Sequence, residues 1–316
     1  MYPTFYDLVL DLFGVSIPAF KFMQSYGMMV GIGFIVGSIL LTKELKRKEG
    51  LGQLKAVKKK KTKDSKSGKE EELVHPDDHV GNIAIIAGIG AIVGGKLFHN
   101  LENWDEVVAD PIGALTRFSG FSFYGGMILA MVLFVWYARK HQLKLLHFFD
   151  AVMPALAIGY GFGRLGCHVS GDGDWGIPND NPMPEWLSFL PDWTWAYNYP
   201  NNVLGVDLIQ FYAERGYTSL TGFAYPTPIY EIAMSIVIFA VLWAMRKRWT
   251  TPGIMVSAYF VLGGIERLLI EQIRINNEYN ILGGITQAEL ISMAMIALGA
   301  FGFFYMPKVG HRWAKW

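Results

Sequence analysis

An arginine inside an apolar run is the first residue of this chain that demands a chemical reason. Arg164 stands in Gly163-Arg164-Leu165-Gly166-Cys167, at the end of an apolar stretch that begins near Phe148. A guanidinium keeps its charge at every relevant pH, and placing one at membrane depth costs about 2.5–3.5 kcal/mol even on lenient insertion scales. It needs an anionic partner. A second arginine, Arg267, lies in another apolar stretch, and Glu271 follows at the i, i+4 spacing that lets two side chains on one helix pair. Glycine-rich backbone near both lets a ligand come close to main-chain N–H groups. Guanidinium groups grip phosphate with two parallel hydrogen bonds. The chemistry on offer is recognition of an anionic headgroup at a membrane.

The elements that must position these residues are apolar blocks. Of 316 residues 52% are hydrophobic and only 17% charged, and the apolar residues come in runs rather than at amphipathic spacing, which excludes an ordinary soluble domain. Runs at 20–41, 82–98, 121–138, 148–167, 228–245, 252–273 and 286–305 each approach the length that spans a bilayer as a helix. The pattern predicts an all-α polytopic membrane protein with about seven transmembrane helices and an outer cap inserted between spans four and five. The corresponding divisions are an outer surface amphipathic segment at 1–18, the first span at 19–42, a cytoplasmic lysine-rich loop at 43–80, spans two to four within 81–170, the cap at 171–227, spans five to seven within 228–306 and a cytoplasmic tail at 307–316. Glycines crowd spans two and four, as is ordinary where membrane helices touch.

Orientation follows from where lysine and arginine collect, because cytoplasmic loops retain them. One set of alternate loops holds the lysines from 43 to 69, then Arg139, Lys140 and Lys144, then Arg246, Lys247 and Arg248, then Lys308, Arg312 and Lys315; the other holds little beyond Arg117, Arg215 and Arg274. The first set is assigned inside and the N-terminus outside. Asp7 and Asp11, with no basic n-region, argue against a removable signal peptide at the start. The run Lys58 to Lys61 with Lys63, Lys66 and Lys69 resembles a nucleic-acid tail in isolation. In a membrane chain it reads as a solvated, unstructured topology determinant that touches at most anionic lipid, so no nucleic acid is expected. The cap is rich in tryptophan, tyrosine and proline, which predicts a packed unit with some aromatics at headgroup level. The single cysteine leaves no intrachain disulfide to hold it.

Six motifs then fall on one side of the membrane. Ser25-Tyr26-Gly27 is near the start of span one, Gly94-Gly95-Lys96 at the end of span two and Phe123-Tyr124-Gly125-Gly126 at the start of span three. Gly163-Arg164 closes span four, Pro226-Thr227-Pro228-Ile229-Tyr230-Glu231 opens span five, and Arg267 with Glu271 lies late in span six. Starts of odd spans and ends of even spans share a side, here the outer one. Arg267 follows Pro252 by fifteen residues, or about 22 Å of helix, which puts it near the outer headgroups. The inner halves of the same spans read as apolar. The bland alternative is a packing network of Arg164, Arg267, Glu231, Glu266 and Glu271 with no substrate.

At these residues the chain resembles the prolipoprotein diacylglyceryl transferase family of bacterial inner membranes. The family signature Gly-Arg-Ile-Gly-Asn-Phe-Ile-Asn-Gly-Glu, followed shortly by Trp-Gly, is similar to the run from Gly163 through Asp172 and on to Trp175-Gly176, with one extra residue before the tryptophan. Its Tyr-Gly-Leu-Met is matched by Tyr26-Gly27-Met28-Met29 and its Arg-Phe-x-x-Glu-x-x-Arg by the run from Arg267 to Arg274. Its His-Pro-Ser-Gln-Leu-Tyr-Glu is approached by the run from Tyr225 to Glu231, and its Ile-Ser-Met-Gly-Gln by Ile285-Thr286-Gln287. The departures are specific. Tyr124 and Tyr225 stand where the family has histidine, Cys167 where it has asparagine, and Lys96 where it has arginine.

The resemblance implies transfer of the diacylglyceryl group from phosphatidylglycerol to the lipobox cysteine thiol of a prolipoprotein signal peptide, with release of glycerol phosphate. It implies a multi-pass protein of the bacterial inner membrane whose active site faces the outer leaflet and periplasm, surrounded by membrane lipids. Arg164, Arg267, Tyr26, Tyr124 and Glu271 are then the catalytic candidates. Arg164 again, with Gly125, Gly126, Gly163, Gly171, Asp172, Tyr230 and Glu231, makes up the substrate-binding candidates. No metal or organic cofactor is expected. Cys167 invites a nucleophile reading, but the acceptor thiol belongs to the substrate, and a lone cysteine among glycines is usually a small packing residue. Asp172 and Asp174 lack the histidine spacing of a metal site and read as turn formers or arginine partners. The other classes in play are a phospholipid-binding relative without turnover and a lipid transporter or flippase.

Overall fold

The computed structural model describes residues 1–60, 71–116, 122–275, 278–279 and 284–314. Lys61, Lys63, Lys66, Lys69, Arg117 and Lys315 lie outside the described residues. The chain is mostly helical, and it divides into two compact units: residues 1–37 with 152–308, and residues 38–151 with 309–316.

In the first unit, α1 (Phe5–Phe13) starts at a capping box in which Thr4 and Asp7 satisfy each other's backbone donors, and it stops at Gly14 in a left-handed conformation. After a 3₁₀ turn at Pro18–Phe22 comes α2 (Ser25–Gly50), whose first half belongs to this unit. The second unit opens with the rest of α2, and an antiparallel ladder follows in which β1 (Val57–Lys60) pairs with β2 (Glu71–Val74), Lys58 opposite Leu73. Part of the lysine run expected to be unstructured is therefore strand. Backbone pairing across the ends of an insertion leaves no trace in its composition.

Still in the second unit, α3 (Val80–Ile89), a π-helical turn at Gly90–Gly94 and α4 (Gly95–Glu102) form one long apolar helical run with a wide turn in the middle. Two short helices follow, α5 (Trp104–Ala109) and α6 (Pro111–Thr116), and then α7 (Phe123–Lys140), which packs along the run from α3 to α4. A Cβ on Gly90 would lie 2.6 Å from the Ala130 Cα, so the bare backbone is what permits this approach. The end of this unit at which α2 finishes is more polar than the apolar runs suggest. Because α2 continues to Gly50, it carries Glu44, Arg47 and Lys48 on helix, and Glu44, Lys48, His147 and Asp150 are all buried.

The remaining helices lie mainly in the first unit. They are α8 (Leu145–Ser170), α9 (Leu208–Ala213), α10 (Thr227–Met245), α11 (Ile254–Glu271) and α12 (Gln287–Trp313), with a small pairing of β3 (Glu278–Tyr279) and β4 (Ile285–Thr286) before α12. Met153 and Ala157 of α8, Ile238 and Leu242 of α10, and Met255 and Ala258 of α11 form one apolar core. Among the described residues, five helical runs are long and apolar enough to cross a membrane: Ser25–Gly50, Pro76–Glu102, Leu145–Ser170, Thr227–Met245 and Gln287–Trp313. The chain is a multi-pass membrane protein.

The segment between α8 and α10 is folded with its own aromatic core of Trp175, Tyr199, Leu208, Phe211, Tyr212 and Ala224. Its backbone is stitched by isolated pairings, Gly176 with Arg274, and Pro178 and Tyr197 with Ala224. The buried Tyr212 hydroxyl donates to the Gly176 carbonyl at 2.7 Å. This stitching brings the end of α8 and the end of α11 to one place.

Candidate active site

In α8 the guanidinium of Arg164 projects one helical turn before Cys167, and the helix ends at Gly171, whose N–H reaches the Cys167 carbonyl at 2.9 Å with φ at +64°. A side chain there would also meet Asn202. The left-handed exit turns the chain so that Asp174 comes back over Arg164. Its backbone is pinned: the Thr227 hydroxyl donates to the Asp174 carbonyl at 2.6 Å, and the Asp174 N–H donates to Asp172 at 3.3 Å.

Asp174 is held by two arginines. Arg164 donates to its Oδ2, and Arg274 to its Oδ1 at 2.6 Å. Burial pushes this carboxyl up, but Arg274 and then Arg164 outweigh that and hold it below the usual carboxylate range. The neighbouring Asp172 goes the other way, raised first by burial and then by the charge of Asp174. Arg274 arrives because the Ile177 N–H bonds the Ile273 carbonyl at 2.9 Å, laying the chain beyond α11 against the loop that holds Asp174.

Beneath this pair lies Glu231, fully buried in the second turn of α10. Its Oε1 accepts from Tyr160 at 2.7 Å and lies 3.4 Å from Arg164 Nε, 3.7 Å from Arg267 and 3.6 Å from Arg274. Three guanidiniums thus share one carboxylate oxygen, and Oε2 has no hydrogen-bond partner among the described residues. Tyr160 also donates to Glu266 at 3.2 Å, and the Arg164 guanidinium lies over the Tyr160 ring at 5.2 Å. Arg267 pairs with Glu271 at 2.9 Å, and Glu271 accepts from Thr286 at 2.6 Å.

The sequence expectation of Arg164 and Arg267 in one cluster is met by this geometry, with Glu231 between them. Glu271 is the anchor of Arg267. Tyr26 packs against the end of α8: a Cβ on Gly166 would lie 3.1 Å from its ring. Gly163 faces open space, Tyr230 is half-buried in the first turn of α10, and Asp172 is bridged to no arginine among the described residues. Tyr124, Gly125 and Gly126 belong to the other compact unit. There Gly125 backs onto Gly94 and Phe98, and Gly126 onto Ala91, so both have a packing reason to be glycine.

Arg274, Asp174 and Tyr160 complete the cluster and were not among the candidates. Arg274 entered the sequence reading as a loop charge and as the end of the matched run from Arg267, Asp174 as a possible arginine partner, and a tyrosine within an apolar run carries no signal of its own. Cys167 is buried with its sulfur 3.6 Å from Asp174 and 3.9 Å from Arg164. Ligand atoms of Cys167, Asp172 and Asp174 lie within 4.8 Å of one another, yet two guanidiniums on Asp174 repel a cation from that spot. The site is arranged for an anion.

Comparison with known proteins agrees with this arrangement. The sequence model of the prolipoprotein diacylglyceryl transferase family matches residues 14–305. A protein from Leptospira interrogans is 26% identical, with 90% of this chain and 92% of its own covered. One from Clostridium tetani is 25% identical over 94% of this chain and 96% of its own, and one from Psychrobacter arcticus is 30% identical over 75% and 82%. Each of the three is named phosphatidylglycerol–prolipoprotein diacylglyceryl transferase. With its arginine cluster intact and the match running through nearly all of its length, the chain belongs to the prolipoprotein diacylglyceryl transferase family.

Proposed function

We infer that this protein transfers the diacylglyceryl group of phosphatidylglycerol to a cysteine thiol of a prolipoprotein. A C–S bond forms as the C–O bond between the lipid glycerol and phosphate breaks; the thiol proton is lost and glycerol phosphate departs. The observation that carries the reading is the convergence of Arg164, Arg267 and Arg274 on one buried carboxylate in a chain of this family. Charge builds on the leaving phosphate in the transition state, and preorganised guanidiniums are the groups that stabilise it most.

The finer assignments extend this reading. Arg164 and Arg267 bind the phosphate, Glu271 orients Arg267, and Glu231 holds the guanidiniums together. Asp172, Tyr230, Gly163 and Gly171 line the headgroup side. The incoming thiol has an ordinary pKa of about 8.5 and must lose its proton near positive charge. Tyr26 and Tyr124 take the headgroup hydrogen bonds or relay that proton in place of the family's histidine. The acceptor is a signal peptide bearing a lipobox. Seven spans follow if α7 and α11 cross the membrane as well as the five longest apolar runs, and the lysine distribution then puts the arginine cluster at the outer face of the bacterial inner membrane. The folded segment 171–227 caps that face, with exposed Trp186, Phe189 and Trp193 suited to the headgroup level.

The test offers the purified protein phosphatidylglycerol and a lipobox peptide and looks by mass spectrometry for a thioether adduct. No adduct, under conditions where a relative forms one, rejects the reading in favour of a phospholipid-binding protein without turnover.

A further inference from the structure

Asp174 stands directly before Trp175, in a run one residue longer than the family signature, and its carboxylate lies where a ligand of Arg164 and Arg274 belongs. The two guanidiniums take one oxygen each, Arg164 on Oδ2 and Arg274 on Oδ1. A phosphodiester presents two non-bridging oxygens with nearly the same span as the two oxygens of a carboxylate, which is why guanidiniums bind both anions alike. We propose that Asp174 is a built-in competitor for the lipid phosphate: the headgroup displaces its side chain from Arg164 and Arg274, and the carboxylate returns to expel the phosphate product. This inference rests on the transferase reading.

Three observations carry it. The Asp174 side chain is 31% exposed while the arginines it bridges are 20% and 12% exposed, so the carboxylate is the accessible lid of the pair. Its backbone is fixed on both sides, by Thr227 at the carbonyl and by Asp172 at the N–H. Exchange therefore needs only a side-chain rotation, with no loop movement. The guanidiniums also stay fixed when Asp174 leaves, since Glu231 holds both from beneath at 3.4 and 3.6 Å. The seat is vacated without being dismantled.

The experiment compares the full chain in mixed micelles with Asp174→Asn and with Glu214→Gln, at an exposed carboxylate of the segment between α8 and α10. Each substitution removes one carboxylate charge, but only the first frees the two arginines. For Asp174→Asn, the KM for phosphatidylglycerol and the inhibition constant of glycerol 3-phosphate should each fall about tenfold, and kcat should fall because product leaves more slowly. For Glu214→Gln both constants should stay within about twofold of the wild type. If Asp174→Asn does not fold, Asp174→Ser is read in the same way. Unchanged or raised constants in the Asp174 variant, or equal shifts in both variants, overturn the proposal while leaving the transferase reading intact. A wild-type protein that makes no thioether overturns both.

Discussion

Both compact units bury charge near helix ends, but they pair it differently. In residues 38–151 the described ion pairs hold one cation closely against one carboxylate. Arg47 grips Glu44 with two nitrogens, at 2.5 and 2.9 Å; His75 pairs with Glu49 at 2.7 Å, and Lys46 with Asp77 at 3.4 Å. In the other unit Arg164, Arg267 and Arg274 all lean on one oxygen of Glu231. A private two-pronged pair spends its hydrogen bonds and gains rigidity. A carboxylate oxygen shared among three guanidiniums fixes their positions without using up their donors. On the proposed mechanism those N–H groups meet the substrate, so the two-membered pairs serve structure and the shared oxygen serves chemistry.

The largest effect that tests this contrast is on turnover. Arg164→Ala and Arg267→Ala should each lower kcat about 10²–10³-fold, the cost of removing a donor that stabilises developing charge. Arg47→Ala, which removes an equally well-formed guanidinium pair, should leave kcat within about twofold and shift only the unfolding temperature. Equal losses of turnover in all three variants erase the distinction between shared and private pairing. Glu231→Ala comes next. It removes the oxygen common to three guanidiniums, which keep only Asp174 and Glu271, and opening a buried ion cluster costs up to about 3–5 kcal/mol, so thermal unfolding in detergent should move down sharply. Glu44→Ala should move it less, because Arg47 is one guanidinium where Glu231 serves three. A Glu231→Ala protein as stable as wild type shows that the guanidiniums are held by something other than the shared oxygen.

What was legible in the sequence divides along the same line. Arg164, Arg267, Glu231 and Glu271 stood out because a charge in an apolar run has a high cost, and the structure gathers them. The apolar runs themselves appear as long helices, since block hydropathy is a strong signal over the width of a bilayer. Arg274 was legible only as the end of the matched run from Arg267, and its partner was not. It reaches Asp174 only because the loop at 176–179 returns to pair with Ile273 and Ala224, a long-range pairing that no local pattern encodes. Gly125 and Gly126 show the opposite limit. Absence of a side chain looks the same in a phosphate cradle and in a close helix contact, and against Gly94 and Ala91 the contact alone accounts for it. The buried charges at the end of α2 were missed because that helix runs past the apolar block to Gly50, carrying Glu44 and Lys48 with it.

Smaller effects sharpen the comparison further. Cys167 sits beside Arg164 and Asp174 yet is buried, and the bond-forming thiol comes from the acceptor peptide. Cys167→Ser should keep kcat within about threefold of wild type, since it alters packing by one atom. An inactive, normally folded Cys167→Ser would reopen a role for the enzyme's own sulfur.

The least effect belongs to a private pair at the surface. His75 is hydrogen-bonded to Glu49, and that bond raises its pKa above the ordinary value of 6.5, the nearby charges of Glu49, Asp78 and Asp77 adding to it. A histidine whose folded pKa is raised binds its proton more tightly in the folded state. Its contribution is present in full below about pH 6.5 and disappears as pH rises through the folded value. The side chain is 46% exposed, so solvent screens the pair and the contribution is slight. His75→Ala should therefore narrow the small difference in unfolding temperature between pH 6 and pH 8 without altering kcat at either pH. If instead the variant changes turnover, a pair local to 38–151 is coupled to the chemistry, and private pairing no longer marks a purely structural role.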